Sequence, residues 1–193
     1  MADKKGISVF WQTLTYTNFR NFMAGNFVSQ MGLWSQRIAV QWLTWELTKD
    51  PFWLGLMAFA DFFPILCMGP VAGAYADRLE RLRAIRLYVF LSGILSAVIA
   101  GLTIGDVIDR YSLLLLVFLN GTVLAFNYPF RLAIINELVQ RDALTSAISI
   151  NSIGFNLARI VGPALAGIII ANVGVGPAVI FTVFADIVFI IAL

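Results

Sequence analysis

Long blocks of apolar residues alternate with short polar clusters along the whole chain. A helix needs about 20 residues to cross about 30 Å of hydrocarbon, and six of these blocks reach or approach that length. Their approximate limits are residues 22–46, 52–75, 85–104, 113–136, 147–172 and 177–193. The pattern predicts an all-α integral membrane protein, a single six-helix transmembrane domain over residues 1–193 with a cytoplasmic or interfacial leader at residues 1–20.

The composition agrees with this pattern. The chain is 60% hydrophobic and 12% charged, whereas a soluble domain is about half apolar and about a quarter charged. A net charge of +2 without a basic patch argues against nucleic acid as a partner. There is no histidine, no cluster of metal ligands and no serine-hydrolase or nucleotide-binding motif. The sequence therefore predicts neither an enzyme nor a metal or cofactor site.

Basic residues in the short loops predict the orientation, because they favour the cytoplasmic side. Most of them lie before the first predicted span or in the loops after the second and fourth spans: Lys4, Lys5, Arg20, Arg78, Arg81, Arg83, Arg86 and Arg141. The opposite side carries only Lys49 and Arg110. We therefore expect both termini to be cytoplasmic.

The loop between the second and third spans, residues 73–85, reads GAYADRLERLRAI. It resembles the signature loop of the major facilitator superfamily, roughly G-x-L-A-D-R-x-G-R-R/K-x-x-L. The matching residues are Gly73, Ala76, Asp77, Arg78, Arg81 and Ile85; the departures are Tyr75, Glu80 and Leu82. The resemblance implies a conformational latch of Gly73, Asp77, Arg78 and Arg81. Arg131 of span four could reach this loop, or it could bind an anionic group. The alternative is that the arginines only set topology.

The fifth span contains GFNLARIVGPALAG at residues 154–167. It is similar to a glycine–proline motif of exporters in the same superfamily, and Gly162, Pro163 and Gly167 are expected to bend the helix and pack it closely. The second span carries the related string MGPVAG at residues 68–73. Related strings in spans of opposite direction favour two inverted three-helix repeats.

Three stretches carry a wider resemblance: LWSQRIAVQWLTWELTKDP at residues 33–51, NYPFRLAIINELV at residues 127–139 and NSIGFNLARIVGPALAG at residues 151–167. Through them nearly the whole chain resembles the siderophore- and macrolide-type efflux branch of the superfamily, but only one half of its usual twelve helices. The resemblance implies a bacterial inner-membrane protein. It also implies a second six-helix bundle as partner, either a missing C-terminal half or a second copy. The sixth predicted span, about 26 Å long at 1.5 Å per residue, also favours a half-length chain.

Four charged residues lie inside predicted spans, where each costs about 2.5–3.5 kcal/mol unless it faces protein or water. Arg37 and Asp61 lie at the same depth, roughly 15 Å from the outer surface, so we expect them to pair. Arg159 and Asp186 form a second candidate pair. Both pairs could be structural clamps, or Asp61 could exchange a proton during transport.

Further polar residues follow stripes on the predicted helices. The residues expected to line a cavity are Asn26, Gln30, Trp34, Gln41, Asn127, Ser152 and Asn156. This distribution predicts that spans one, four and five surround an aqueous cavity, while spans three and six face lipid. Hydrogen bonding between helices is the alternative explanation.

Together these features predict one half of a secondary-active transporter that exports a small amphipathic or hydrophobic compound, coupled to protons. The alternative is a non-transporting membrane scaffold or assembly module.

Overall fold

The computed structural model describes residues 10–76 and 79–193, without the side chains of Tyr75 and Ala76. Six long helices follow one another with short connections. Their bounds are α1 Thr17–Thr48, α2 Pro51–Ala76, α3 Arg81–Ile104, α4 Arg110–Ala133, α5 Leu144–Val173 and α6 Val175–Ala192. A short helix, Ile135–Leu138, continues α4. No strand occurs in the described part of the chain, and the predicted all-α fold is confirmed.

Among the described residues, five helices, α2 to α6, are long and apolar enough to cross a membrane. The remaining long helix, α1, has 32 residues and is therefore also long enough to do so. Polar side chains buried along α1 lower its hydropathy: Asn26, Ser29, Gln30, Ser35 and Gln36. This polar helix contributes more residues to the candidate site than any other helix.

The helices pack in a pattern that repeats. The main neighbours are α1 with α5 and α6, α2 with α4, and α3 with α4 and α6. If α1, α2 and α3 are exchanged with α4, α5 and α6, the α1–α6 contact becomes α4–α3, and α1–α5 becomes α4–α2. Two three-helix repeats produce this arrangement.

Two apolar clusters close the ends of the bundle. One gathers around Val40, Leu113 and Val179, and the other around Phe22 and Ile85. Between them lies a layer of buried polar side chains: Ser29, Gln36, Ser92, Ser96, Asn120, Thr182 and Asp186. Because buried polar groups require partners, this middle layer is joined by hydrogen bonds between helices.

Two glycines allow helices to approach closely at the site. A Cβ on Gly121 of α4 would lie 2.5 Å from the carbonyl oxygen of Asp61, and one on Gly162 of α5 would lie 2.7 Å from that of Met31. Both distances are shorter than any carbon–oxygen contact allows. Gly121 therefore allows α4 to pack against the part of α2 that carries Asp61. Gly162 allows α5 to pack against the part of α1 next to Trp34.

Other glycines of α2 and α5 have no close neighbour, and one of them, Gly69, lies on the wall of a cavity described below. A Cβ on Gly69 or Gly73 of α2, or on Gly167 of α5, would meet no described atom within 4 Å. Of the two expected packing glycines in α5, Gly162 thus contacts α1, whereas Gly167 has no neighbour. In the most apolar window of α5 only 17% of residues are buried, against 44% in α4 and α6. The outer faces of α2 and α5 are open.

Candidate functional site

An ion pair joins the middle parts of α1 and α2. Nε of Arg37 donates to Oδ2 of Asp61 at 2.8 Å, and each side chain is 13% exposed. The structure thus brings together the two residues that the depth argument pairs. Nη2 of Arg37 is buried and has no hydrogen-bond partner among the described residues.

Aromatic rings enclose the guanidinium of Arg37. Its central carbon lies 4.7 Å from the ring centre of Trp34 and 4.5 Å from that of Phe62. Such cation–π contacts stabilise a charge that has left bulk water. Trp34 also contacts Arg159 at 5.1 Å and the ring of Phe155 at 6.1 Å. Trp34 therefore links α1 with α5 at this level of the bundle.

The ion pair lies on the wall of a cavity of about 190 Å³, which we call the pair cavity. It lies between α1, α2 and α4, and its lining residues are Leu33, Trp34, Gln36, Arg37, Ile38, Val40, Gln41, Met57, Ala58, Asp61, Phe62, Val117 and Asn120. Most of this wall is apolar. Two of its polar residues are hydrogen-bonded to serines of α3, which lies outside the cavity wall. Gln36 accepts a hydrogen bond from Ser96 at 2.6 Å, and Asn120 accepts one from Ser92 at 3.1 Å.

A second cavity of about 380 Å³, the Arg131 cavity, is formed by α1, α2, α4 and α5. Its lining residues are Asn26, Gln30, Ile65, Gly69, Ala125, Tyr128, Pro129, Arg131, Leu132, Asn151 and Phe155. Neither α3 nor α6 contributes to the lining of either cavity. The sequence pattern predicted lining by α1, α4 and α5 and missed α2, which contributes to both.

Arg131 and Asp186 are joined through a hydroxyl group. Nη2 of Arg131 donates to Oγ of Ser29 at 3.0 Å, and that hydroxyl donates to Oδ1 of Asp186 at 2.8 Å. Asp186 is 4% exposed. The remaining contacts of the guanidinium are with Asn26, Asn127 and the ring of Phe189. A positive and a negative charge are thus buried together without direct contact.

The expected pairing of Arg159 with Asp186 is wrong. Asp186 faces α1, where Ser29 binds it, whereas Arg159 is exposed on α5 and lies over Trp34. Arg131 is also misassigned to the loop latch, because its side chain points into the bundle and binds Asn26 and Ser29. Depth along a helix fixes the level of a residue but not the direction in which its side chain points.

The loop arginine Arg81 contacts the end of α4. Nη1 of Arg81 donates to the carbonyl oxygen of Ala133 at 3.1 Å and to Oε1 of Glu137 at 2.8 Å. This arginine therefore ties the start of α3 to the end of α4. Asp77 and Arg78, the other charged members of the expected latch, lie outside the described residues.

The expected cavity-lining residues divide into three groups. Trp34 and Gln41 line the pair cavity, and Asn26 and Gln30 line the Arg131 cavity. Asn127 is buried and accepts a hydrogen bond from Nε of Arg131 at 3.3 Å. The two α5 residues line neither cavity: Ser152 and Asn156 are exposed, and the amide of Asn156 donates to the carbonyl of Ser152 in its own helix.

Ser29 is one of the site residues that the sequence analysis missed; others are Gln36 and Asn120 of the pair cavity and Tyr128 and Asn151 of the Arg131 cavity. A serine in an apolar stretch is a weak signal, because it is tolerated in membrane helices as a hydrogen-bonding residue. Its position three residues after Asn26 places both on one face of α1. That spacing was the signal that could have identified it.

The chain is similar to a known protein family and to curated transporters. A family model described as transmembrane secretion effector matches residues 8–193. The chain is 30% identical over 151 residues to the staphyloferrin A transporter of Staphylococcus aureus (strain NCTC 8325 / PS 47), a match that covers 78% of this chain and 38% of that protein. It is 29% identical over 150 residues to the uncharacterized MFS-type transporter YfiS of Bacillus subtilis (strain 168), covering 77% and 35%.

The chain spans about half the length of these curated relatives. No solved structure matches it.

Proposed function

The chain belongs to the transmembrane secretion effector family of the major facilitator superfamily, and on that premise we propose that it is one half of a secondary-active exporter. Its substrate would be a small amphipathic or hydrophobic compound, exchanged for protons. Transport would occur by alternating access, in which two six-helix bundles rock against each other around a central site. The proposal also assigns the protein to the bacterial inner membrane with both termini in the cytoplasm.

The observation that carries the coupling proposal is the Arg37–Asp61 ion pair on the wall of the pair cavity. Protonation of Asp61 would remove one charge of the pair and release Arg37, which would then keep only its contacts with Trp34 and Phe62. A proton can shift a conformational equilibrium only where it binds the two states differently. A carboxylate paired with an arginine inside a membrane bundle provides such a difference.

The lining of the pair cavity supports an amphipathic substrate, because Leu33, Met57 and Val117 offer an apolar wall and Gln41 a polar group. Its volume of about 190 Å³ is below the range of about 300–1,000 Å³ typical of sites for drug-sized ligands. We propose that a second bundle completes the site. The family's description, with the word secretion, favours outward transport.

The open faces of α2 and α5 support a second bundle as partner. Gly73 and Gly167 lie there without neighbours, and small residues are what membrane helices use for close approach. In this proposal the Arg81 contacts with Ala133 and Glu137 belong to a latch at the cytoplasmic ends of the helices, which Asp77 and Arg78 would complete.

Replacement of Asp61 with Asn tests the proposal. Purified protein is reconstituted into vesicles with an imposed pH gradient, and the movement of two amphipathic fluorescent probes, ethidium and anilinonaphthalene sulfonate, is recorded. Asp61→Asn should abolish gradient-driven movement while the variant still folds, although it leaves the charge of Arg37 without its carboxylate and should lower the free energy of unfolding by about 3–5 kcal/mol.

The matched control is Asp106→Asn, the same chemical change at an exposed residue outside the helices, and it should transport normally. Gradient-driven movement that survives in Asp61→Asn would reject Asp61 as the coupling residue. A folded parent chain that moves neither probe, even in vesicles that hold two or more copies, would favour the scaffold alternative.

A further inference from the structure

The lining of the Arg131 cavity includes a cation, whose buried counter-charge, Asp186, lies behind Ser29 and outside the wall. Arg131 is the one charged residue in its lining, and no carboxylate lines it within the described part of the chain. The other polar groups in the wall are the amides of Asn26, Gln30 and Asn151 and the phenol of Tyr128. A cavity with one cation and several neutral hydrogen-bonding groups favours an anion that has more than one polar group.

The guanidinium of Arg131 is held in place but is not saturated. It uses one N–H from each nitrogen, to Asn127 at 3.3 Å, to Asn26 at 2.8 Å and to Ser29 at 3.0 Å. A guanidinium has five N–H groups, so one N–H on each terminal nitrogen remains free of these bonds. No carboxylate among the described residues lies within ion-pair distance of it, because Ser29 separates it from Asp186.

A second group in the same wall lacks a partner. Gln30 is 5% exposed, and its Oε1 has no hydrogen-bond partner among the described residues. A buried acceptor without a donor is unfavourable, and a ligand that brings a hydroxyl or amine group would satisfy it. The cavity thus offers donors for an anion and an acceptor for a neutral donor.

The two cavities meet through an aromatic contact. Trp34 lines the pair cavity, Phe155 lines the Arg131 cavity, and their rings pack edge to face with centres 6.1 Å apart. A molecule in the Arg131 cavity could therefore lie with its apolar part against Phe155 and its polar end at Arg131. The volume of the Arg131 cavity, about 380 Å³, is within the range of small-molecule sites.

We infer that the Arg131 cavity binds the polar end of the substrate, and that this end is a small organic anion that also carries a hydrogen-bond donor, as in a hydroxycarboxylate. The inference rests on the proposed function, and it names the chemical class of the compound to be moved. Arg131 binds the anionic group, and Gln30 accepts the hydrogen bond from the donor.

Three ligands that differ by one group each test this inference: 3-phenyllactate, 3-phenylpropionate without the hydroxyl, and the uncharged 3-phenylpropane-1,2-diol. Binding to the full chain in nanodiscs of zwitterionic lipid is measured by titration calorimetry, with empty nanodiscs as the blank. The parent chain should bind 3-phenyllactate best, 3-phenylpropionate more weakly and the diol at least about tenfold more weakly, since hydrogen bonds to charged groups are the stronger ones.

Two variants separate the roles of the residues. Arg131→Gln should reduce the affinity for both acids at least about tenfold and leave the diol unchanged, while the control Arg86→Gln, at an exposed arginine of α3, should bind as the parent does. Gln30→Met should remove the preference for 3-phenyllactate over 3-phenylpropionate and keep the preference for acids over the diol. If Arg131→Gln does not fold, the Gln30→Met series and the parent series still decide.

Equal binding of the acids and the diol to the parent, no binding of any of the three, or an unchanged ligand order in Gln30→Met would overturn the inference. Displacement of 3-phenyllactate by phosphatidylglycerol in the nanodisc would assign the site to a lipid headgroup and overturn it as well. Because no gradient is present, a failed binding test leaves the Asp61 transport test intact. A chain that binds 3-phenyllactate but shows no proton-linked flux would contradict only the proposed function.

Discussion

Arg37 has three kinds of neighbour at once: the carboxylate of Asp61 at 2.8 Å, the rings of Trp34 and Phe62, and an apolar wall. A buried ion pair gains little over a well-packed apolar pair, because both charges must leave water. Stability alone is therefore a weak reason for this pair. Its position on a cavity wall is what favours a role in transport.

Ser29 is the second position at which a single side chain decides the arrangement of buried charge. Ser29→Ala removes one hydrogen bond from Arg131 and one to Asp186, and should lower the free energy of unfolding by about 1.5–3 kcal/mol, the range for hydrogen bonds to charged groups. Thermal unfolding in detergent, followed by far-UV circular dichroism, gives the value.

Ser35→Ala is the matched control for Ser29→Ala. Ser35 is buried in the same helix, and its hydroxyl donates to the neutral carbonyl of Ala178 at 3.4 Å. Its loss should cost about 0.5–1.5 kcal/mol. Equal effects of the two substitutions would show that Ser29 does not join the charges of Arg131 and Asp186.

These residues also mark the limit of reasoning from sequence. The Arg37–Asp61 contact follows from depth, because the two helices are consecutive and the turn between them is short. The partner of Asp186 does not follow, since Arg131 and Arg159 both lie on other helices at compatible levels. The choice depends on how α4, α5 and α6 are rotated against α1, and hydropathy contains no information on that rotation.

Among the elements, the crossing of α5 over α1 tests the packing argument. Gly162→Ala would place a Cβ 2.7 Å from the carbonyl oxygen of Met31 and 2.8 Å from Cβ of Trp34. The helices must then separate, and we expect a loss of about 1–3 kcal/mol in unfolding free energy. Thermal unfolding of the purified protein measures it.

The control lies in the same motif. Gly167→Ala adds the same methyl group where no described atom lies within 4 Å, so the stability of the bundle should stay the same or rise slightly through the better helix propensity of Ala. If both substitutions destabilise the bundle equally, the glycine at position 162 has no special packing role.

The polar stripes predicted from the sequence show how far periodicity reaches at the scale of elements. On α1 the stripe corresponds to a lined surface, because Asn26, Gln30 and Gln41 lie on the walls of the two cavities. On α5 the polar stripe does not line a cavity, because the side-chain amide of Asn156 donates a hydrogen bond to the carbonyl of Ser152 in the same helix. A polar side chain that bonds its own helix has the same periodicity as one that faces a cavity, so the pattern cannot separate them.

At the scale of the whole molecule, the bundle is closed on one side and open on the other. Helices α3 and α6 pack behind α1 and α4. Helices α2 and α5 each have an outer face that no other helix covers, and this face carries glycines without a close neighbour. Both cavities are formed by the helices around that opening. The all-α membrane bundle was predictable from hydropathy and the family from its loop and glycine–proline motifs, whereas the cavities required the helices to be assembled.

The central claim is that this bundle transports only when a second bundle faces it. Copies per vesicle are counted by photobleaching of an N-terminal fluorophore while proton-linked movement of ethidium and anilinonaphthalene sulfonate is recorded in the same vesicles. The account predicts background flux in vesicles with one copy and gradient-driven flux in those with two or more. Gradient-driven flux in single-copy vesicles would contradict it.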